Sequence, residues 1–319
     1  MKLKRAVSTS FFVLAVVALG IVSSCNNSSS PNNSTPNIYV TSAGSVAVFP
    51  LTATGNVAPA ANITGVNTAF SDTHRSAIDS TGKIYVSDAN GNAIRIFASG
   101  ATGNVAPIET ISGAGTGLNF PSGIALDSTG KIYVTNGDGN SITIYAAGST
   151  GNASPTATIS GAATLLSFPN GLALAQGNIY VVNEGSNSVT VYPATATGNA
   201  APATTISGAA TGLNEPHALA LDSAFKIYVT NASGNTVTVY AANATGNATP
   251  TATITSGGST AIDHPNGIAI DSTGKIYVGN NSGASISIFA AGATGAATPV
   301  ATIAGANTTI GDLHGVDIH

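Results

Sequence analysis

Three of the five histidines in this 319-residue chain fall at one recurring position, and a fourth stands two residues before it in another copy. His74, His217 and His314 share a single position of an internal repeat, and Asn170, Asn266 and Ser122 fill that position in the other copies. Two residues before it stand Asp72, Phe120, Phe168, Glu215, His264 and Asp312. Neutral imidazole and carboxylate are ligands for divalent metals, and together they make general acid–base pairs. One divalent cation, Zn or Ca, is the sharpest guest for such a set, held by His74, Asn170, His217, Asn266, His314 and His264. Asp317 is a further carboxylate candidate, because it replaces the Ala found at 77, 125, 173, 220 and 269. The competing reading is that these side chains cap loop amides around a water-filled opening. No other cofactor is implied and no catalytic residue is assigned. Nucleophilic catalysis finds little support: Cys25 is the only cysteine, and no Ser sits in an elbow motif.

The elements that must position these residues are set by a repeat. Ile-Tyr-Val occurs six times, at 38–40, 84–86, 132–134, 179–181, 227–229 and 276–278. Spacings of 46–49 residues match one small sheet per repeat, as in a propeller. In the third copy, Gly123–Asp127 is a short apolar strand, Asp127–Lys131 a turn, and Lys131–Thr135 a β-branched and aromatic strand. Ser141–Tyr145 alternates polar with apolar, and Pro155–Ile159 makes a fourth strand after Thr150-Gly151-Asn152. These four are called strands a to d, from axis to rim. The propeller begins with a b strand at Ile38 and ends with an a strand, Gly315–His319. The expected fold is therefore all-β: a six-bladed β-propeller with four antiparallel strands per blade, the first blade closed by the C-terminal strand.

Residues that recur in most blades are assigned to the scaffold. The nine tyrosines, the a–b turn acids Asp79, Asp127, Asp222 and Asp271, and the Thr-Gly-Asn turns go this way. They belong to the face where a–b and c–d loops emerge. The irregular residues gather on the opposite face, around the d–a loops, with Asp88, Asp138 and Glu184 added by the b–c loops. Arg75 is the formal positive charge of that face. Phe120 and Phe168 are candidates for sugar stacking, though hydrophobic anchoring of a loop accounts for them better. The run 136–140 resembles part of a calcium loop, but turn chemistry explains it. Variable loops on a rigid frame are where function usually sits.

Three segments follow: 1–24, 25–37 and 38–319. Lys2, Lys4 and Arg5 precede an apolar run, Phe11–Val22, of signal-peptide length. Val22-Ser23-Ser24-Cys25 resembles the bacterial lipobox, which implies acylation of Cys25 and a membrane contact through the lipid. Residues 26–37 are Asn, Ser, Pro and Thr with almost no apolar content and read as a tether. The expected location is the bacterial cell envelope, at the outer membrane or cell surface. A formal net charge of −4 without a basic patch argues against nucleic acid. A monomeric propeller is expected, with an unknown protein, glycan or small molecule as partner.

The blades resemble NHL-type and YVTN-type propellers over about 38–319: Ile-Tyr-Val-Thr-Asn is intact at 132–136 and 227–231. Pro-Asn-Gly at 169–171 and 265–267 is similar to the motif through which gluconolactonase-like (SMP-30-type) propellers offer axial Asn to a metal. That resemblance implies a ligand role for Asn170 and Asn266 alone. Virginiamycin B lyase-like propellers are also similar, but their Trp-Phe pairs are missing here. These resemblances specify the fold and not the activity; a stiff disk on a tether, low in charge and uniform in its blades, suits a lipid-anchored binding or scaffold module acting through the d–a/b–c face. The alternative is a metal-dependent lactonase- or lyase-like enzyme.

Overall fold

The computed structural model describes residues 36–256 and 261–319, and places twenty-four strands in six four-stranded sheets. The leader, Cys25 and the tether as far as residue 35 lie outside the described residues. Among the described residues no helix is long and apolar enough to cross a membrane.

Each sheet is one antiparallel blade. In blade 1 the strand Leu313–Ile318 is innermost and pairs with Asn37–Ser42, so the C-terminal strand completes the N-terminal sheet. Asn37 and His319 exchange backbone hydrogen bonds of 2.7 and 3.0 Å at the end of that ladder. The a strands of blades 2 to 6 are Thr73–Ile78, Pro121–Leu126, Pro169–Ala175, Pro216–Leu221 and Pro265–Ile270. Together with Leu313–Ile318 they stand side by side around the axis. Pro opens four of them because a first strand residue needs no ladder N–H.

The cores lie between blades. Six apolar clusters form, each drawn from two neighbouring sheets. The Ile-Tyr-Val strands are buried on both faces for this reason. Phe49, Phe97, Tyr145, Tyr192, Tyr240 and Phe289, at the shared strand-c position, are 0% exposed. Each contributes on the order of 1.5–3 kcal/mol by burial. The hydroxyls of Tyr145 and Tyr240 donate to the carbonyls of Thr116 and Thr211 at 2.6 and 2.7 Å.

The repeated turns do more than reverse the chain. In blade 3, Asp127 Oδ1 accepts the N–H groups of Thr129 and Lys131 at 2.8 and 3.0 Å, while Oδ2 takes the Tyr133 hydroxyl at 3.2 Å. The Thr-Gly-Asn turns hook each blade to the one before it. Gly151 forms a parallel bridge with Ile111, and its N–H reaches the Thr110 carbonyl at 2.7 Å. Asn152 Oδ1 accepts the Gly115 N–H at 2.7 Å. Exposed d-strand edges are thereby covered, the usual answer to the risk of edge-to-edge association. Strand d of blade 3 is Ala157–Ser160, so Pro155 stands just outside the ladder.

Candidate functional site

The ring position read from the repeat is a set of β-bulges. Register shifts between Thr73 and Ser76, Pro121 and Ile124, Pro169 and Leu172, Pro216 and Leu219, and Pro265 and Gly267. His74, Ser122, Asn170, His217 and Asn266 sit in these shifts, and His314 holds the matching place in the last strand. A bulge re-aims a side chain and bends its strand. Here it turns the ring residues toward the mouth of the propeller.

The loops above the ring are pinned by asparagine. Phe120, Phe168, Glu215 and His264 adopt left-handed φ values of 56, 46, 53 and 49°. Their N–H groups donate to Oδ1 of Asn92, Asn140, Asn187 and Asn235 on the preceding blade, each at 2.7 Å. One level lower, Asn136 donates from Nδ2 to Ser141 and Thr143 at 3.2 and 3.1 Å, and its Oδ1 accepts the Asn119 N–H. Asn183, Asn231 and Asn280 repeat this. Blade 2 departs from it: Asp88 takes the Asn place and pairs with Arg95 at 2.7 Å. Asp88 is 0% exposed and also receives the Ser71 and Asp72 N–H groups. The acid counted on the functional face by sequence is therefore part of the frame.

A pocket of about 190 Å³ opens at the mouth, lined by His74, Arg75, Phe120, Phe168, Asn170, Glu184, His217, Asn266 and His314. Arg75 forms its floor. In the other blades the residue after the ring position is Gly123, Gly171, Ala218, Gly267 or Gly315. A Cβ at Gly123 would lie 2.5 Å from the Asn170 carbonyl, so most blades have no room for a side chain there. Arg75 instead crosses the axis, donating from Nη2 to the His217 carbonyl at 2.9 Å and to Asn170 Oδ1 at 3.3 Å. Beneath it the channel narrows to a void of about 40 Å³, and Asp317 lines that void rather than the mouth. Asp317 Oδ1 accepts the Ile318 N–H at 3.1 Å.

Two His–carboxylate clusters flank Arg75. Asp72, His74 and His314 form one, and Glu184, Glu215 and His217 the other, with ligand atoms in each within 4.8 Å of one another. In the first, His74 Nε2 lies 3.4 Å from Asp72 Oδ2, and the two imidazoles meet edge to face at 4.5 Å. The hydrogen bond from His74 holds the Asp72 carboxyl below the usual carboxylate range. His314 Nδ1 lies 3.0 Å from the Thr73 carbonyl, and its Nε2 is 3.6 Å from Asp312 Oδ1.

In the second cluster, His217 Nε2 is 3.5 Å from Glu184 Oε2 and 3.9 Å from Glu215 Oε1. Burial, followed by the charge of Arg75, pushes His217 down to about 3, so its ring is neutral at ordinary pH. Burial pushes the Glu184 carboxyl up, against a 3.0 Å hydrogen bond from Asn170. His264 packs its ring 5.7 Å from that of His217. His217 Nε2 and Asn266 Oδ1 are buried without a hydrogen-bond partner among the described residues. Asn266 Nδ2 meanwhile donates to the Leu313 carbonyl at 3.3 Å. The histidines, Asn170 and Asn266 thus share one face, with Asp317 set deeper. Glu184 and Arg75 were visible in sequence as irregular charges, but the reach of Arg75 across the axis was not.

Comparison with known proteins agrees with this architecture. The family described as "Lactonase, 7-bladed beta-propeller" matches residues 172–309, less than half of the chain, and the NHL repeat matches residues 118–145. This ring closes with six blades rather than seven. No curated protein matches. Among solved structures, a chain in the crystal structure of a nidogen/laminin complex superposes with a TM-score of 0.62 at 15% identity, covering 89% of this chain and 98% of that one. A Bacteroides caccae protein of unknown function gives 0.61 at 9% identity, covering 89% and 99%. A functionally unknown protein from Desulfotomaculum acetoxidans gives 0.55 at 14%, covering 84% and 80%. The chain is a six-bladed β-propeller, similar over part of its length to the lactonase propeller family and to the NHL repeat.

Proposed function

We propose that this propeller is an envelope binding module, anchored by a lipid on Cys25, whose mouth accepts a hydroxyl-bearing group such as one sugar unit of a glycan. The observation that carries this reading is a pair of poorly partnered buried atoms in the pocket wall: Asn266 Oδ1, with no hydrogen-bond partner among the described residues, and His217 Nε2, with carboxylate oxygens only at 3.5 and 3.9 Å. Buried polar atoms normally have partners, so these two call for a ligand that donates to the amide oxygen and meets the imidazole. A hydroxyl does both. Phe120 and Phe168, with ring centroids 5.7 Å apart, supply an apolar wall beside them. At about 190 Å³ the pocket is smaller than those that enclose drug-sized ligands, which suits one projecting group of a larger partner.

The test is binding to a panel of monosaccharides and envelope glycans, comparing the wild type with Asn266→Ala and Phe168→Ala. A ligand held by the wild type and lost by both variants supports the reading. Identical profiles for all three overturn it. The anchor is tested separately: Cys25→Ala should move the protein from the membrane fraction to the soluble one.

A second reading rests on the lactonase family match and on the contact between Glu184 and neutral His217. A carboxylate raised in pKa beside a neutral imidazole is the pairing that moves protons at a carbonyl. Acid release from sugar lactones, abolished by His217→Gln, would favour this reading over simple binding.

A further inference from the structure

The two His–carboxylate clusters are alike in composition but not in surroundings, and the difference lies in Arg75. Its guanidinium is held on the far side of the axis by the His217 carbonyl and Asn170. It therefore neutralises the side on which Glu184 and Glu215 sit. After burial, Arg75 is the strongest influence on His217, whereas it is the weakest of those acting on His314. On the other side Asp72 and Asp312 face the imidazoles of His74 and His314.

We propose that Asp72, His74 and His314 bind one divalent transition-metal ion of the zinc class, off the propeller axis, with Asp312 as a fourth donor. Two imidazoles select such an ion over calcium, which takes oxygen ligands. Tetrahedral bonds of about 2.0–2.1 Å put ligand atoms ~3.3 Å apart. Two of the separations present are 3.4 Å, from His74 Nε2 to Asp72, and 3.6 Å, from His314 Nε2 to Asp312, and one ligand atom from each of Asp72, His74 and His314 lies within 4.8 Å of the others. Ligation thus asks for small side-chain rotations rather than a new fold. The Thr73 carbonyl takes the Nδ1 proton of His314 and leaves the lone pair on Nε2, the outer-shell arrangement usual for a ligating histidine. The side chains of Asp72, His74 and His314 are 19, 14 and 16% exposed, enough for an ion to enter.

The position carries a further meaning. His314 belongs to the C-terminal strand that completes blade 1, and His74 to strand a of blade 2. An ion between them joins the closing strand to its neighbour across 240 residues of chain. The site is therefore a clasp on the ring as well as a metal centre. It stands apart from the hydroxyl-binding reading, which rests on Asn266 and His217.

The experiment uses the full chain, purified without a histidine tag. Zinc chloride and calcium chloride are titrated calorimetrically, and thermal unfolding is followed with and without each ion. The expected result is one Zn²⁺ per chain, bound at least tenfold more tightly than Ca²⁺, with a rise in Tm on zinc addition. His314→Gln and Asp72→Asn should each weaken zinc at least tenfold and remove the Tm rise, while His217→Gln keeps both. Asp72 lies in a loop before the strand, so its variant retains the fold even if loss of His314 loosens the ring. The proposal is overturned if the folded wild type shows no saturable zinc binding, if calcium is preferred, or if His217→Gln abolishes binding while His314→Gln does not. Retained glycan binding in a chain that ignores zinc would overturn the clasp and leave the proposed function standing.

Discussion

The two faces of the ring are built by opposite rules. On the a–b and c–d face the same contacts recur: an Asp holds its turn and a Tyr hydroxyl, and a Thr-Gly-Asn turn hooks the preceding blade. On the other face the frame also recurs, in bulges and Asn-pinned loops, but the side chains it presents differ at nearly every blade. Repetition of backbone with variation of side chain is how a symmetric ring comes to hold an asymmetric site. The lesson is that the pins, not the presented residues, mark where function was free to change.

The largest test of that contrast removes what both faces share. A chain stopped before Leu313 loses the innermost strand of blade 1, with Leu313, Val316 and Ile318 buried at 0, 7 and 5% exposure. Those side chains alone contribute about 1.5–3 kcal/mol each, comparable in sum to the whole stability of a domain. Cooperative thermal unfolding should disappear in calorimetry, and an unchanged Tm would refute ring closure by this strand.

Next comes the irregular pin of blade 2. Arg95→Thr leaves Asp88 buried and unpaired and should cost about 3–5 kcal/mol in urea unfolding. Adding Asp88→Asn recreates the Asn136–Thr143 arrangement of blade 3. The double variant should return to within about 1 kcal/mol of the wild type. If the double variant is as unstable as the single one, the equivalence of the blades is wrong.

A smaller effect distinguishes the variable face by pH. His217 is held down to about 3, against about 6.5 when unfolded. Between those values the unfolded chain binds a proton that the folded chain does not. The contribution is therefore complete above pH 6.5 and is lost as pH falls toward 3. About 2 kcal/mol should go between pH 6.5 and 5 in the wild type beyond what His217→Gln loses. Equal slopes for the two proteins would show that His217 is not the buried neutral group described.

The smallest effect belongs to the uniform face. Tyr133→Phe deletes one hydroxyl contact with Asp127 and should cost about 1 kcal/mol without altering any mouth ligand. Burial, then the nearby acid, pushes Tyr85, Tyr133 and Tyr228 up to about 12. Their contribution is complete below pH 10 and is lost as pH rises toward 12, which phenolate absorbance will follow.

Much of this was legible in the chain. The Ile-Tyr-Val period gave the blades, and the unpaired a strand at 315–319 gave the closure. Both follow from local pattern, because a strand buried on two faces must be continuously apolar. The convergence of His74, His217, His264 and His314 on one face was readable for the same reason. What sequence could not supply was anything set by contacts between particular side chains across a blade or across the axis. Asp88 looked like a loop acid until Arg95, seven residues on, proved to face it across the blade. Arg75 looked like a stray charge until its span to blades 4 and 5 divided the mouth in two. Asp317 stood out as an oddity, yet three extended residues carry it about 10 Å below His314 and into the narrow channel.

Blade 1 joins residues 37–42 to residues 313–318, and this sets a schedule as well as a shape. A ribosome or a translocation pore delivers those two segments nearly a whole chain apart in time. Until the later one arrives, blade 1 lacks its inner strand and presents an unpaired backbone edge beside an uncovered apolar face. The propeller must therefore be kept from sticking to its neighbours for the full time of its own delivery, and that interval is when a folding helper would matter most.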